Sequence, residues 1–385
     1  MTSYIVATPF EAYLPGLFIS ECFNDNPCTL AVSATALATF ARRVKCDKYL
    51  DMARRNYSSA LVRTNEALAD TSAAVLDSTL AAVLLLGLFE AVVFQGGQAP
   101  TNWTAHTLGA MQLLRLRGKG QFKSHVSQKL YAQASNNIKT SCIQKSMPLP
   151  ADFVAFNEEV GPLLDPGDPA IRISPVVDRM ARIKAQALIK VDAHLIREAW
   201  QLDREIANFG QNMPSKMRYV THNRSPPNPE AGSEFSYDYP NLRTAKVWNA
   251  LRLLRQFLVT FISNSSQAEL DVMGPDLQNT PSHDALLALR RYAVNNMGEI
   301  SEQILATVPS FLESGLTERR FYPAARSLVW PLTIIESTGI SYASHRELAA
   351  LYLKELACDL NLPQAVHPDR DPGHKDDWLH LFHVG

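Results

Sequence analysis

The stretch LAAVLLLGLFEAVVF, beginning at Leu80, is apolar on every side if it is wound as a helix. A helix without a polar face must be surrounded by protein. The stretch is too short for the roughly 20 apolar residues that span a bilayer, and Glu90 interrupts it. It therefore predicts a central core helix. Gly87 gives up about 1 kcal/mol of helix propensity and lets a neighbouring helix come close. Glu90 needs a partner, because an unpaired carboxylate among apolar groups is costly. The next helical stretch, NWTAHTLGAMQLLRLRG, offers His106, Arg115 and Arg117, a structural polar network with Glu90.

Around this centre the chain reads as helical almost throughout. Apolar residues recur at helical spacing over about 10–23, 29–45 and 47–69, and Pro27 suits a helix start. Arg42, Arg43 and Lys45 sit where cations favour a helix C-terminus. Asp77 or Ser78 starts the core helix, and Thr101 or Asn102 caps the following one, which Gly118 and Gly120 stop. Helical patterns continue over 121–145, 174–209 as one helix or a broken pair, 240–264, 282–308, 320–338 and 344–361. The prolines at 147–169 mark a loop, and Pro214, Pro226, Pro227, Pro229 and Gly232 make 214–239 the longest irregular stretch, read as a mobile loop. No strand alternation is apparent. The expected architecture is all-α, a large single-domain multi-helix assembly over 1–362 with a tail at 363–385.

Charge and motifs exclude several functions. With 37 Lys and Arg against 38 Asp and Glu, the chain lacks the basic footprint of a nucleic-acid binder. Its N-terminus has no secretory pattern, and the five scattered cysteines fit reduced thiols in cytosol or nucleus. There is no glycine-rich phosphate loop between strand and helix, no G-x-S-x-G elbow and no H-E-x-x-H pair. His367, His374, His380 and His383 lie in the tail, where a polar surface role outweighs metal binding, so neither metal nor cofactor is expected. The basic runs at 41–45 and 115–120 read as solvated helix ends rather than import signals.

The acidic end of the apolar helix, followed by Trp103, His106, Gly109, Ala110 and the Arg117-Gly118 stop, resembles the central regulatory domain of fungal-specific transcription factors of the zinc-cluster class. AKVWNALRLLRQFL at 245–258, EISEQILATVPSFL at 299–312 and ARSLVWPLTIIESTGI at 325–340 extend the likeness over roughly 10–360. The resemblance implies an all-helical fold. The cysteines cannot build the family's six-cysteine zinc cluster, so no direct DNA contact is expected.

Polar residues set among apolar ones mark candidate sites on three helices: Trp103, His106, Arg115 and Arg117; Trp248, Asn249, Arg252 and Arg255; and Tyr322, Arg326, Trp330 and Glu336. If they converge, they line a small-molecule pocket. Together with the resemblance, this points to a cavity recruited into fungal specialised metabolism. The expected activity is a cofactor-free cyclase, for example hetero-Diels-Alder coupling of an apolar terpenoid or polyketide intermediate. His106 or Tyr322 would act as acid, and Arg252 or Arg326 would hold an enolate-like oxygen. Trp103, Trp248, Asn249 and Trp330 would bind substrate. The alternative is a transcriptional co-regulator acting through a zinc-cluster partner. The expected partner is an apolar metabolite, with no membrane, and with homodimerisation or a regulator partner open. The expected location is the cytoplasm, or the nucleus for a co-regulator.

Overall fold

The computed structural model describes residues 10, 13–21, 26–94, 101–165, 169–223, 235–274, 280–313 and 320–362. Among them, fourteen α-helices and one two-stranded sheet carry the regular structure, so the protein is all-α. In order these are α1 (Leu14–Glu21), α2 (Pro27–Val44), α3 (Asp47–Ala69), α4 (Thr71–Ala74), α5 (Asp77–Val93), α6 (Thr101–Arg117), α7 (His125–Gln144), α8 (Ala151–Val160) and α9 (Pro169–Ala187). Then come α10 (Ala193–Gln211), β1 (Val220–Asn223), β2 (Phe235–Asp238), α11 (Leu242–Val272), α12 (Pro281–Thr307), α13 (Val329–Ser337) and α14 (Ala343–Asp359). The contacts divide the chain into two compact units, one of residues 1–174 and 357–385, the other of 175–356. No described helix is long and apolar enough to cross a membrane.

In the first unit α5 is the centre. Ser78 through Gly87, Phe89, Ala91 and Val92 are all buried, so the helix is covered on every side, by α2, α3, α6 and α7. Small residues allow the close packing. Ala31, Ala34, Ala38 and Ala41 form the buried stripe of α2 at helical spacing. At Gly87, a Cβ would meet the Trp103 ring at 3.3 Å and the His106 Cβ at 3.5 Å, which is the close approach expected of this glycine. Asn26 caps α2 by accepting from the Thr29 N–H at 2.8 Å, with Pro27 in the first turn. Near the other end of α2, Arg42 donates from Nη2 to the Val93 carbonyl at 2.7 Å, placing a cation on the last residue of α5.

In the second unit α11 packs against α10, α12 and α13. Asn241 caps α11, its Oδ1 accepting from the Thr244 N–H at 2.9 Å. Asp192 does the same for α10 with Leu195 at 3.0 Å, and this fixes the break between α9 and α10.

Four local expectations change. The stretch 320–338 is α-helical only from Val329: Phe321 bridges to Leu312 and Pro323–Leu328 is a 3-10 turn, so Tyr322 and Arg326 stand before the helix that carries Trp330 and Glu336. The segment after Pro150 is helical, not loop: α8 buries Phe153 and Val160, Pro162 sits in the short 3-10 turn that follows it, and Pro169 opens α9. Helix α11 runs past 264 to Val272, because Ser263, Ser265 and Ser266 are buried where their polarity suggested a helix end. Finally, 214–239 is not wholly irregular. β1 and β2 pair antiparallel, Val220 opposite Asp238 and Asn223 opposite Phe235. The alternation Phe235, Tyr237, Tyr239 is the strand signal, too short to stand out among the prolines. The middle of that stretch and the tail with its four histidines lie outside the described residues.

Candidate functional site

The residues marked by the sequence fall into two groups, one in each unit. In the first unit Glu90 accepts hydrogen bonds from the Tyr57 hydroxyl and from Asn102 Nδ2, the latter at 3.0 Å. His106 Nε2 lies 3.1 Å from the Tyr57 oxygen. The single phenolic hydrogen goes to the carboxylate, so Nε2 carries the hydrogen at that contact. Burial, then the hydrogen bond to Glu90, pushes the Tyr57 phenol far above its ordinary value. Burial likewise pushes the His106 imidazole down to about 4, so the ring is neutral at pH 7. The Tyr57 ring also stacks on Phe89, with centroids 4.3 Å apart.

Neither Arg115 nor Arg117 joins Glu90, which corrects the expected network. Arg115 pairs with Asp152. Arg117 pairs with Asp77 and donates to the Leu76 carbonyl at 2.9 Å and to Ser127 Oγ at 3.2 Å. The reason is the antiparallel register of α5 and α6. Glu90 near the end of α5 meets the start of α6, whereas Arg117 lies about 22 Å further along that helix and meets the start of α5. Trp103 is core: it is 2% exposed, and its indole N–H donates to Ser141 Oγ at 3.2 Å.

The second group centres on Arg252, which is 3% exposed. Its Nη1 donates to Tyr239 Oη and Thr307 Oγ1 at 2.8 Å and to Asn249 Oδ1 at 3.0 Å, and its Nε reaches Gln303 Oε1 at 3.3 Å. Aromatic rings surround the guanidinium, with Tyr237, Tyr219 and Trp248 centroids at 5.2, 5.5 and 5.5 Å. These contacts are cation–π interactions, strongest where water is excluded. Among the described residues no carboxylate pairs with Arg252, and Nη2 has no hydrogen-bond partner. The neighbouring Asn249 Nδ2 is buried without one as well. Arg255, one turn of helix on, is instead paired with Asp203, which is fully buried.

Tyr237 and Tyr239 also face a cleft of about 340 Å³, whose other walls include His222, Ser310, Leu312 and Tyr322. Burial raises both Tyr237 and Tyr239 phenols above their ordinary value, partly offset by the charge of Arg252. The Trp248 indole N–H donates to the Met217 carbonyl at 2.8 Å, which fixes the ring against the cage. Trp330 sits elsewhere, fully buried edge-on to Phe257, over which Lys184 Nζ lies at 4.6 Å. Arg326 is half-buried, and its charge, after burial, helps lower Lys246 to about 8. Of the residues marked in the sequence, Tyr322 alone borders this cleft, and Trp248, Asn249 and Arg252 form the cage behind it.

The comparison with known families is decided by the segment that contains α5 and α6. Residues 18–143 match the fungal specific transcription factor domain. The match lies wholly within the first unit, and the cleft lies outside it. No curated protein and no solved structure matches the chain.

Sequence reasoning missed Tyr219, Tyr237, Tyr239, Thr307 and Gln303. Their signal was faint: the tyrosines flank a proline-rich stretch, and Thr307 and Gln303 sit in a helix whose apolar stripe drew attention elsewhere.

Proposed function

We propose that this chain is a small-molecule-binding helical protein related to the fungal transcription regulators, taking up an apolar metabolite in the cleft of its second unit. The observation that supports this reading is the cleft itself. Three tyrosines, Leu242, Leu312 and Pro309 give it apolar surface, and His222, Asp238, Asn241 and Ser310 add polar groups on the same walls, a mixture that suits a ligand site. The ligand class is the terpenoid or polyketide intermediates of specialised metabolism. In the cyclase form of this reading, Tyr322 is the acid at the cleft and the cation behind Tyr239 steadies developing negative charge. His106 has no part in it, since its unit holds it in a packed hydrogen-bond chain.

A second reading is compatible with the family match over residues 18–143: a co-regulator acting in the nucleus beside a zinc-cluster partner or as a homodimer, with the metabolite as its signal. One experiment separates the readings. The purified protein is incubated with extract of its host, and bound and converted compounds are followed by native and solution mass spectrometry, against boiled protein and Tyr322→Phe. Stereoselective conversion that falls in Tyr322→Phe supports the cyclase. Retained ligand without conversion supports the sensor, and absence of both removes the cleft from consideration.

A further inference from the structure

We propose that the ligand of this cleft carries a carboxylate, and that Arg252 with Asn249 is the anion-binding end of the site. This rests on the cleft being the ligand site and adds the chemistry of what it holds.

The argument begins with an imbalance of donors and acceptors. A guanidinium has five N–H groups in a planar fork, matched to the two oxygens of a carboxylate. In Arg252 three acceptors crowd around Nη1 while Nη2 has none. Asn249 repeats the pattern, with Oδ1 used by Arg252 at 3.0 Å and Nδ2 open. Two neighbouring buried groups therefore share the same deficit of acceptors. A structural arginine inside a helical unit is normally matched by a carboxylate, as Arg255 is by Asp203 one turn away. Among the described residues Arg252 is held by neutral oxygens and ring faces, which steady a cation without neutralising it.

The open donors lie behind the wall of the cleft. Tyr237 and Tyr239 both line the cleft and contact the guanidinium. Tyr237 touches Arg252 through its ring face and shares a side-chain hydrogen bond with Tyr219, so turning it aside gives up that bond but none to the cation, and opens the way from the fork to the cleft. Tyr239, tied to both Arg252 and Thr307, stays. A carboxylate entering there accepts from Arg252 Nη2 and Asn249 Nδ2, while the apolar body of the ligand stays among Tyr237, Tyr322 and Leu312. No covalent step is involved.

The test uses the full chain with 2-naphthoate and its methyl ester as matched probes, followed by calorimetry. The acid is expected to bind at least about tenfold more tightly than the ester, and to lose that margin in Arg252→Met. Asn249→Asp is the second variant. It sets a carboxylate beside the guanidinium, so it should raise the melting temperature while weakening the acid about tenfold or more, and it keeps the test open if Arg252→Met does not fold. Equal binding of acid and ester overturns the carboxylate while leaving the cleft in place. Acid binding that is unchanged in both variants moves the anion site away from Arg252 and also overturns the proposal. If neither probe binds, the proposal falls, and the extract experiment decides separately whether the cleft binds anything.

Discussion

Replacing Asp203 by Asn tests the energetic reasoning on which the second unit rests. The Asp203 carboxylate is 0% exposed and accepts from Arg255 Nε at 2.8 Å, from Arg255 Nη2 at 3.2 Å and from the Tyr292 hydroxyl at 2.6 Å. Burial disfavours the charge on Arg255, yet the hydrogen bond and charge of Asp203 outweigh it and raise the guanidinium above its ordinary value. Asparagine keeps the shape but removes the charge and turns an N–H toward donors, leaving the Arg255 cation without its counter-ion. Breaking a buried pair from one side costs about 3–5 kcal/mol. In a unit of this size each kcal/mol moves the midpoint by about 2–4 °C, so a fall of roughly 6–20 °C is expected in the transition that carries α10, α11 and α12. Scanning calorimetry measures it, and hydrogen exchange along α10 and α12 assigns it to this unit. The double variant Asp203→Leu/Arg255→Met should recover most of the loss, because removing both charges avoids the unpaired ion. A shift under about 2 °C, or a double variant no better than the single, would refute the account.

Three further outcomes follow from the same structure. His106 is lowered from its ordinary value to about 4, so the unfolded chain binds the proton more readily. Its stabilising contribution is therefore complete above about pH 6.5 and declines as pH falls toward 4, by at most about 3 kcal/mol; His106→Gln should flatten urea-unfolding curves across that window, and an unchanged slope would contradict the burial of the ring. Trp103→Ala should cost about 3–5 kcal/mol in the first unit, read by urea unfolding, because it empties the space over Gly87 and leaves Ser141 without its indole donor. Asn241→Ala removes the cap of α11 and should cost about 1 kcal/mol, whereas Asn241→Asp should keep most of it.

How far the sequence reached is clearest at Glu90. The uninterrupted apolar run showed that α5 is buried all round, and the single carboxylate within it showed that a partner was required. His106 does lie within the Glu90 hydrogen-bond chain, but through the Tyr57 hydroxyl of a third helix. The two arginines looked equally suitable because charge can be read along a chain while the register of two helices cannot. At Arg252 the helical spacing placed Trp248 and Asn249 within one turn of it. The tyrosines that complete the cage come from the hairpin, where short strands among prolines carry little periodicity.

The sequence by itself determined the helical class, the buried centre at α5, the close approach at Gly87 and the helix start at Pro27. These depend on side chains within a few turns of one another, where spacing and capping act locally. Only the tertiary structure decided which charges meet, that Arg255 has a carboxylate and Arg252 none among the described residues, and that Tyr237 and Tyr239 stand between that cation and a cleft. Those facts depend on residues tens of positions apart, brought together by burial of apolar faces, and burial fixes contact geometry without leaving any local mark on the polar residues it carries inside.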